Sequence, residues 1–293
     1  MENPITSAAP EAAAGGRRER TSVLRALFAV RDGLTKVGGK YHTAPIKIAK
    51  AFPVDEQLAV IVMDVSPGLL EGDRYELEWT SGKHSHVMIT NQSYMKVHPS
   101  LPAGGSSMRQ SFVLEEHAVV EHMPEPMMLY KDAALRNETH VSLQAGSVWM
   151  QADVLCPGRT LRGEKFDYRS LHNELTVQYG EELIFAQRQR IEPASQMLGA
   201  PGCWEEMTHS AAFYVFSDRV DGRLLELLQE TLDGYAAPGG HPVAAGVSLT
   251  QRYGVAVIAA STAAWPLQQL MRELWAAARE GLLNKRPLKL LQG

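Results

Sequence analysis

Cysteine is scarce in this chain, which has 293 residues and only two cysteines, Cys156 and Cys203. Two cysteines build neither a disulfide framework nor an all-cysteine zinc site, which needs four thiolates. An excess of either charge is also lacking, because 29 Lys and Arg face 33 Asp and Glu and leave a formal net charge of −4. A nucleic-acid-binding protein normally carries a basic surface, so we expect no nucleic-acid partner.

Long hydrophobic runs are absent as well. The most apolar window, residues 255–265, is interrupted by a Ser-Thr pair and is far shorter than the roughly 20 residues that span a bilayer. Near the N-terminus, the basic residues 17–20 follow an Ala-rich stretch, the reverse of a secretory signal peptide. We therefore expect a cytoplasmic protein without a membrane partner, with residues 1–20 as a disordered tail and residues 21–293 as a single β-rich domain.

The motifs of several common enzyme classes are missing. There is no G-x-S-x-G nucleophile elbow and no H-E-x-x-H zinc motif. The glycine-rich loop at residues 66–74 lacks the Gly-Lys-Ser/Thr ending that handles phosphate and magnesium, and a strand pattern rather than a helix pattern follows it. These three kinds of chemistry therefore have no support in the sequence.

Alternation of polar and apolar residues predicts strands along most of the first 200 residues. In one such run, Tyr75, Leu77 and Trp79 fall on the same face. Leucines at helical spacing predict two late helices, over residues 221–232 and 266–283. The predicted fold class is mainly β: a large two-layer, β-helix-like stack of sheets with two α-helices near the C-terminal end.

A single carboxylate interrupts one of the predicted strands. Asp153 lies in residues 148–156, which are otherwise apolar apart from Gln151. Burial of an unpaired carboxylate costs several kcal/mol, so Asp153 must be paired, hydrogen-bonded or wetted. Two interpretations stay open, a functional carboxylate and a structural salt bridge to Arg159 or Arg162.

Two histidines at i, i+2 spacing raise a metal-site alternative. On a strand, His84 and His86 would share one face, and Asp73 would supply a carboxylate ligand. These residues define an alternative function, a metal-dependent hydrolase of the β-sandwich type. The segment begins in a turn, so solvated turn histidines are the favoured interpretation.

Five segments of the chain, in order, match the pattern of one family. They read YHTAPIKIAK at 41–50, SPGLLEGD at 66–73, ITNQSYMK at 89–96, PEP at 124–126, and DVLCPGR at 153–159 followed by GEKF at 163–166. These segments resemble the urease accessory protein family UreD, also called UreH. The motif positions are His42, Pro45, Gly72, Thr90, Gln92, Lys96, Gly158, Arg159 and Gly163. One departure is Gln187, where the family commonly has Glu.

The resemblance implies a β-rich scaffold that is not itself an enzyme. Members of the family bind the urease apoprotein and, through UreF, the GTPase UreG, and they help deliver nickel and CO2 to the active-site lysine. The resemblance also implies transient nickel, carried through an internal water-filled tunnel, and no tightly bound cofactor. The expected function is therefore a metallochaperone scaffold in urease maturation, with a purely structural adaptor as a further alternative.

Isolated carboxylates suit a cation carrier. A carrier must release its cation, so it is better served by single carboxylates and water than by a closed cage of His and Cys. On this basis we expect Asp73, Asp153 and Glu164 to line the nickel path.

The second late helix offers a candidate partner surface. Its apolar face includes Leu270, Leu274 and Trp275. By resemblance we expect this face to contact UreF, and packing against a sheet of the same chain is the alternative.

Overall fold

The computed structural model describes residues 20–288, which form two stacked β-sheets and two α-helices. The strands of this part of the chain are β1 (Arg20–Arg31), β2 (Leu34–His42), β3 (Ile46–Val54), β4 (Gln57–Asp64), β5 (Asp73–Ser81), β6 (His86–Asn91), β7 (Met95–Val97), β8 (Ser106–Leu114), β9 (Val119–His122), β10 (Met127–Leu129), β11 (Ala134–Leu143), β12 (Val148–Cys156), β13 (Ser170–Tyr179), β14 (Glu182–Ile191), β15 (His209–Phe216), β16 (Val243–Leu249) and β17 (Gly254–Ser261). The helices are α1 (Gly222–Gly234) and α2 (Ala264–Ala278).

The chain passes back and forth between the two sheets. The small sheet has seven strands in the order β14-β13-β11-β8-β5-β1-β2. The large sheet has ten, with the main path β16-β17-β15-β12-β9-β6-β4-β3, the short strand β10 paired with β12, and the short strand β7 paired with β10. From β5 to β13 the chain crosses repeatedly from the small sheet to the large sheet and back, with the short strands β7 and β10 following β6 and β9 in the large sheet. The neighbouring strands that this winding creates within each sheet are parallel. This solenoid-like winding confirms the predicted β-rich stack of sheets.

Aromatic side chains fill part of the space between the sheets. Trp79 and Phe112 of the small sheet and Trp149 and Phe216 of the large sheet are buried and form a continuous row, which we call the aromatic layer. Their ring centroids lie 6.4 Å (Trp79–Phe112), 5.9 Å (Phe112–Trp149) and 6.2 Å (Trp149–Phe216) apart. Rings at these separations pack as aromatic pairs and exclude water from this level of the sandwich.

A second core lies on the outer face of the large sheet, beneath the helices. Helix α1 begins after Asp221, whose side chain accepts hydrogen bonds from the next free backbone N–H groups, 3.0 and 3.2 Å away. Helix α2 buries Leu267, Leu270 and Leu274 against the sheet. Each fully buried leucine contributes about 1.5–3 kcal/mol, which holds the helix in place. Both predicted helices are confirmed, and the end of the second is a π-helical turn, Arg279–Leu283.

Five strands were not predicted: the edge strands β2 and β3, the short strands β7 and β10, and the interior strand β15. The two edge strands lack sustained alternation in the sequence. Strand β2 contains two adjacent glycines and is mostly exposed, because it is the edge of the small sheet. Strand β3 contains Pro53 and forms the edge of the large sheet. An exposed edge strand does not need one fully apolar face. Proline is tolerated in it because some backbone N–H groups of an edge strand have no partner strand to donate a hydrogen bond to.

The predicted tail, residues 1–20, lies outside the described residues except for Arg20, which begins β1. Among residues 20–288, no helix is long and apolar enough to cross a membrane.

Candidate functional site: a polar cavity between the sheets

A cavity of about 230 Å3 lies between the two sheets. Polar side chains of both sheets line it at one level of the sandwich. The small sheet contributes Gln110, Thr139 and Gln187, and the large sheet contributes His122, Gln151 and Tyr214. We call these six residues the polar layer.

Strand register places the polar layer. Gln110 pairs with Thr139 across β8 and β11, while His122 pairs with Gln151 across β9 and β12, and Gln151 with Tyr214 across β12 and β15. Two residues along the same strands, on the same face, the aromatic layer begins. The polar cavity is therefore bounded on one side by aromatic rings.

The cavity runs across the strands rather than along them. On the large sheet its lining extends from Asp64 at the end of β4 to Ile258 on β17, and both of these residues are exposed. Asp153 lines the cavity from β12, which lies between β4 and β17 in the sheet order. The lining thus includes exposed residues at both ends of this span, and the Asp153 carboxylate lies between them.

Asp153 faces the cavity and is held by an amide instead of a cation. Its Oδ2 accepts a hydrogen bond of 2.6 Å from Nε2 of Gln151. Burial raises the pKa of Asp153 to about 6, although the hydrogen bond from Gln151 works in the opposite direction. The alternative, a salt bridge to Arg159 or Arg162, is not formed among the described residues. The Arg159 guanidinium pairs with Glu164 instead, and Arg162 makes no ion pair with Asp153.

His122 is a cavity residue that sequence reasoning missed. Its Nδ1 lies 2.8 Å from Oε1 of Gln151, and its ring centroid lies 5.0 Å from that of Phe112. Burial lowers the pKa of His122 to about 4, so the ring is neutral at pH 7. In the sequence, Gln151 and Asp153 stand two residues apart in an otherwise apolar strand, which indicates that one face of β12 is polar. That pattern does not show that His122 on β9 lies beside this face.

Two other cavity residues bind each other across the sheets. The Tyr214 hydroxyl donates a hydrogen bond to Oε1 of Gln187, and burial raises the pKa of Tyr214 above its usual range. Gln187, the position at which the family commonly has Glu, is therefore a neutral cavity residue in this chain. Asn137 also lines the cavity, and its buried Oδ1 has no hydrogen-bond partner among the described residues.

The structure does not bring the three predicted path carboxylates together. Asp73 begins β5, where Oδ2 accepts a 2.9 Å hydrogen bond from the Leu70 backbone N–H and Oδ1 lies 3.5 Å from Nε of Arg20. Glu164 is held by Arg159. Neither Asp73 nor Glu164 is among the residues that line the cavity. Of the three, Asp153 alone lines the cavity, and a nickel path past any of them stays a prediction.

The family-motif positions divide into two groups, and one of them lies at the cavity. Thr90, Gln92 and Lys96 line it on the β6 to β7 side, where Gln92 and Lys96 are exposed. Gly68 packs there without room for a side chain, because a Cβ would lie 2.4 Å from the Lys96 carbonyl oxygen. The loop that carries the SPGLLEGD segment thus closes onto the strand that follows Gln92.

The other motif positions shape loops. Gly72 and Gly163 have positive φ angles of 78° and 81°, as turns require of glycine. At Gly158, a Cβ would lie 2.8 Å from the Glu164 carbonyl oxygen. The Arg159 guanidinium lies 4.3 Å from the centroid of the Tyr130 ring. The first two motif positions lie at the connection between β2 and β3. His42 is the last residue of β2, and Pro45, which follows a cis peptide bond, directly precedes β3.

The histidine pair does not form a metal site with Asp73. His84 is exposed in a turn with φ of 60°, and its ring stacks on His117 at 5.0 Å, as the turn interpretation predicts. For His86 the prediction of a solvated turn histidine is wrong, because His86 begins β6 and is buried, and its Nε2 contacts Oε1 of Glu121. Among residues 20–288, no three His, Cys, Asp or Glu side chains are placed to hold one metal ion.

The apolar face of α2 is occupied within the chain. Leu270 and Leu274 are 0% exposed and Trp275 is 3% exposed, all within the core beneath the helix. The Trp275 indole N–H and the Arg279 guanidinium both donate to the fully buried Glu121. The structure therefore places these three residues in the core, and any partner of α2 must use other side chains.

Comparison with known proteins identifies a single family. The model of the UreD urease accessory protein family matches residues 20–290. The UreD urease accessory protein of Acetivibrio thermocellus is 33% identical over 230 residues, which cover 78% of this chain and 86% of that protein. UreD 2 of Streptomyces griseus is 26% identical over 263 residues, 87% of this chain and 85% of that protein. UreH of Helicobacter hepaticus is 26% identical over 195 residues, 67% and 77% of the two chains.

Proposed function

Because the chain belongs to the UreD family of urease accessory proteins, we propose that it assists urease maturation as a metallochaperone scaffold that passes nickel through the cavity between its sheets. Membership of the family supports the role in urease maturation. The path for nickel is our proposal, and the placement of Asp153 in the cavity is the observation that carries it.

The chemistry of the cavity suits a cation in transit. Most of the polar layer is neutral, with amide, hydroxyl and imidazole groups. Such groups replace water around a cation without adding the charge of a tight site. The Asp153 carboxylate would then lower the energy of a divalent cation inside the cavity, between the exposed lining residues Asp64 and Ile258. Weak binding at one carboxylate favours release over storage.

We further propose the partners that the resemblance implies. The chain would bind the urease apoprotein and UreF and, through UreF, the GTPase UreG, in the cytoplasm and without catalysis of its own. Nickel would be transient cargo and not a resident cofactor. Exposed residues of α2 are one candidate surface for UreF, since the apolar side of the helix is already buried.

The proposal is tested by Asp153→Ala in cells that express the urease subunits and the full set of accessory proteins. Asp153→Ala should lower both the nickel content and the activity of purified urease at least several-fold, while the chain is still recovered in complex with its partners. Asp55→Ala is the matched control, because Asp55 is an exposed aspartate in the turn between β3 and β4. Wild-type nickel content in Asp153→Ala with intact complexes would refute the path through this cavity and leave the structural adaptor.

Asp73→Ala and Glu164→Ala complete the set. Both side chains lie outside the cavity lining, so a path that continues past either of them would lose nickel delivery when that side chain is removed. If only Asp153→Ala reduces the nickel content of urease, the carboxylates of Asp73 and Glu164 have a structural role, in which they hold the conformation of their loops.

A further inference from the structure

Strand β16 is an edge of the large sheet that lacks the usual protection against pairing with another chain. The other edges of the two main paths carry charged side chains or proline: Lys36 and Lys40 on β2, Lys47 and Pro53 on β3, and Arg188 on β14. The pairing of each of these three strands with its neighbour also contains a shift in register. Strand β16 reads VAAGVSL, without charge or proline, and its pairing with β17 is regular throughout. Its edge is therefore open to a further strand.

The backbone groups of β16 that are free for such a strand follow from its pairing. Among the described residues, β16 pairs with β17 alone. Just beyond the strand, the Thr250 N–H donates a 2.8 Å hydrogen bond to the Gly254 carbonyl, so every second residue back along β16 also bonds to β17. The intervening residues direct their N–H and C=O groups away from the sheet. These are Val243, Ala245, Val247 and Leu249.

This edge is complementary to a second copy of itself. If two β16 strands lie antiparallel about a two-fold axis at Gly246, Val243 of one copy faces Leu249 of the other, and Ala245 faces Val247. Each of these pairs joins two residues with outward N–H and C=O groups and so exchanges two hydrogen bonds. Gly246 then faces Gly246, at a non-hydrogen-bonded position where the two backbones approach to about 4.5 Å. No charged side chain opposes another.

Exposed apolar side chains at the two ends of β16 fit the same arrangement. Val243 and Val247 pack against the core beneath the helices, and Leu249, two residues on, shares their face of the sheet. Leu249 is 46% exposed. At the other end of the strand Trp265 is 43% exposed, and its ring lies 5.6 Å from that of His241, just before β16. The two-fold axis brings the Leu249 end of each copy to the Trp265 end of the other, so apolar surface is buried at both ends.

We propose that β16 is a self-association edge, through which two copies of this chain join their large sheets into one continuous sheet about a two-fold axis at Gly246. Such an interface uses the same surface of both copies and closes after two. The inference goes beyond the proposed function and does not depend on the cavity.

The position of the axis is tested by a charge at Gly246. A Cβ at Gly246 meets nothing within 4 Å and its φ is not positive, so Gly246→Lys leaves the single chain unstrained. The wild-type full-length chain, purified without partners, should have twice the mass of one chain by light scattering, and sedimentation equilibrium gives its dissociation constant. Gly246→Lys sets two like charges directly opposite each other and should raise this constant about fivefold or more. Gly39→Lys, at an exposed and equally open position on the edge strand β2, is the matched control and should leave it unchanged.

A second variant makes the test independent of folding defects. Gly246→Glu alone should weaken the dimer as Gly246→Lys does, whereas an equimolar mixture of the two should restore it, because opposite charges then meet at the axis. A wild-type chain that stays monomeric would overturn the inference. So would a dimer that Gly246→Lys leaves as tight as wild type, or one that Gly39→Lys weakens equally.

Discussion

Asp153 is retained in the cavity at a cost in stability, and removal of its charge should make the folded protein more stable. In the folded chain the pKa of Asp153 rises from 3.8 to about 6 because the carboxyl is buried. The folded state therefore binds the proton more tightly than the unfolded state, and stability is lost as the pH rises from about 4 to above 6. At 1.36 kcal/mol per pKa unit, the full penalty at pH 7.5 is about 3 kcal/mol, and water in the cavity reduces it to about 1–3 kcal/mol.

Asp153→Asn removes the charge and still accepts the hydrogen bond from Gln151. The free energy of unfolding in urea should be about 1–3 kcal/mol higher than that of the wild-type chain at pH 7.5. At pH 5.0 the gain should fall to about half, because the folded wild-type carboxyl is then protonated while the unfolded one is largely ionised. Asp55→Asn, in an exposed turn, should change stability by less than about 0.5 kcal/mol. A destabilised Asp153→Asn at pH 7.5, or a gain that grows toward acid pH, would refute the reasoning.

Two further predictions concern the core beneath α2. Arg279→Met leaves the buried carboxylate of Glu121 without its guanidinium partner and should lower the free energy of unfolding by about 3–5 kcal/mol in urea titrations. Arg272→Met, on the exposed side of the same helix, should stay within about 0.5 kcal/mol of wild type, and equal effects would contradict the buried network. Leu274→Ala should lower the free energy of unfolding by about 2–5 kcal/mol, whereas an unchanged thermal melt would indicate a surface residue instead.

The fold class could be read from the sequence because its signals are local. Alternation marks half-buried strands, and leucines at helical spacing mark the two late helices. Each of these patterns can be recognised within about ten residues of sequence. The turn that ends at Gly72 and fixes Asp73 could be predicted for the same reason. The edge strands β2 and β3 were not predicted because their exposure removes the regular alternation of polar and apolar residues. The interior strand β15 was not predicted either, because it is buried on both faces and ends in a continuous apolar run instead of alternating.

The cavity could be predicted only in part. Asp153 stood out as a polar residue in an apolar strand, and the structure places it in the wall of the cavity. Its neighbour His122 lies 29 residues from Gln151 and reaches it only through the parallel pairing of β9 and β12. Such pairings are set by the winding of the whole chain, and no local pattern encodes them. Amphipathic spacing in α2 likewise showed that one face would be covered but not by what.

The polar layer draws its members from six strands, β8, β9, β11, β12, β14 and β15, which are separated by long stretches of sequence. Each sheet supplies one wall of the cavity, and the lining at Ile258 is added only by β17, the last strand within residues 20–288. The cavity therefore exists only once both sheets are fully wound. If nickel passes through it as proposed, an incompletely folded copy of the protein could not carry the ion.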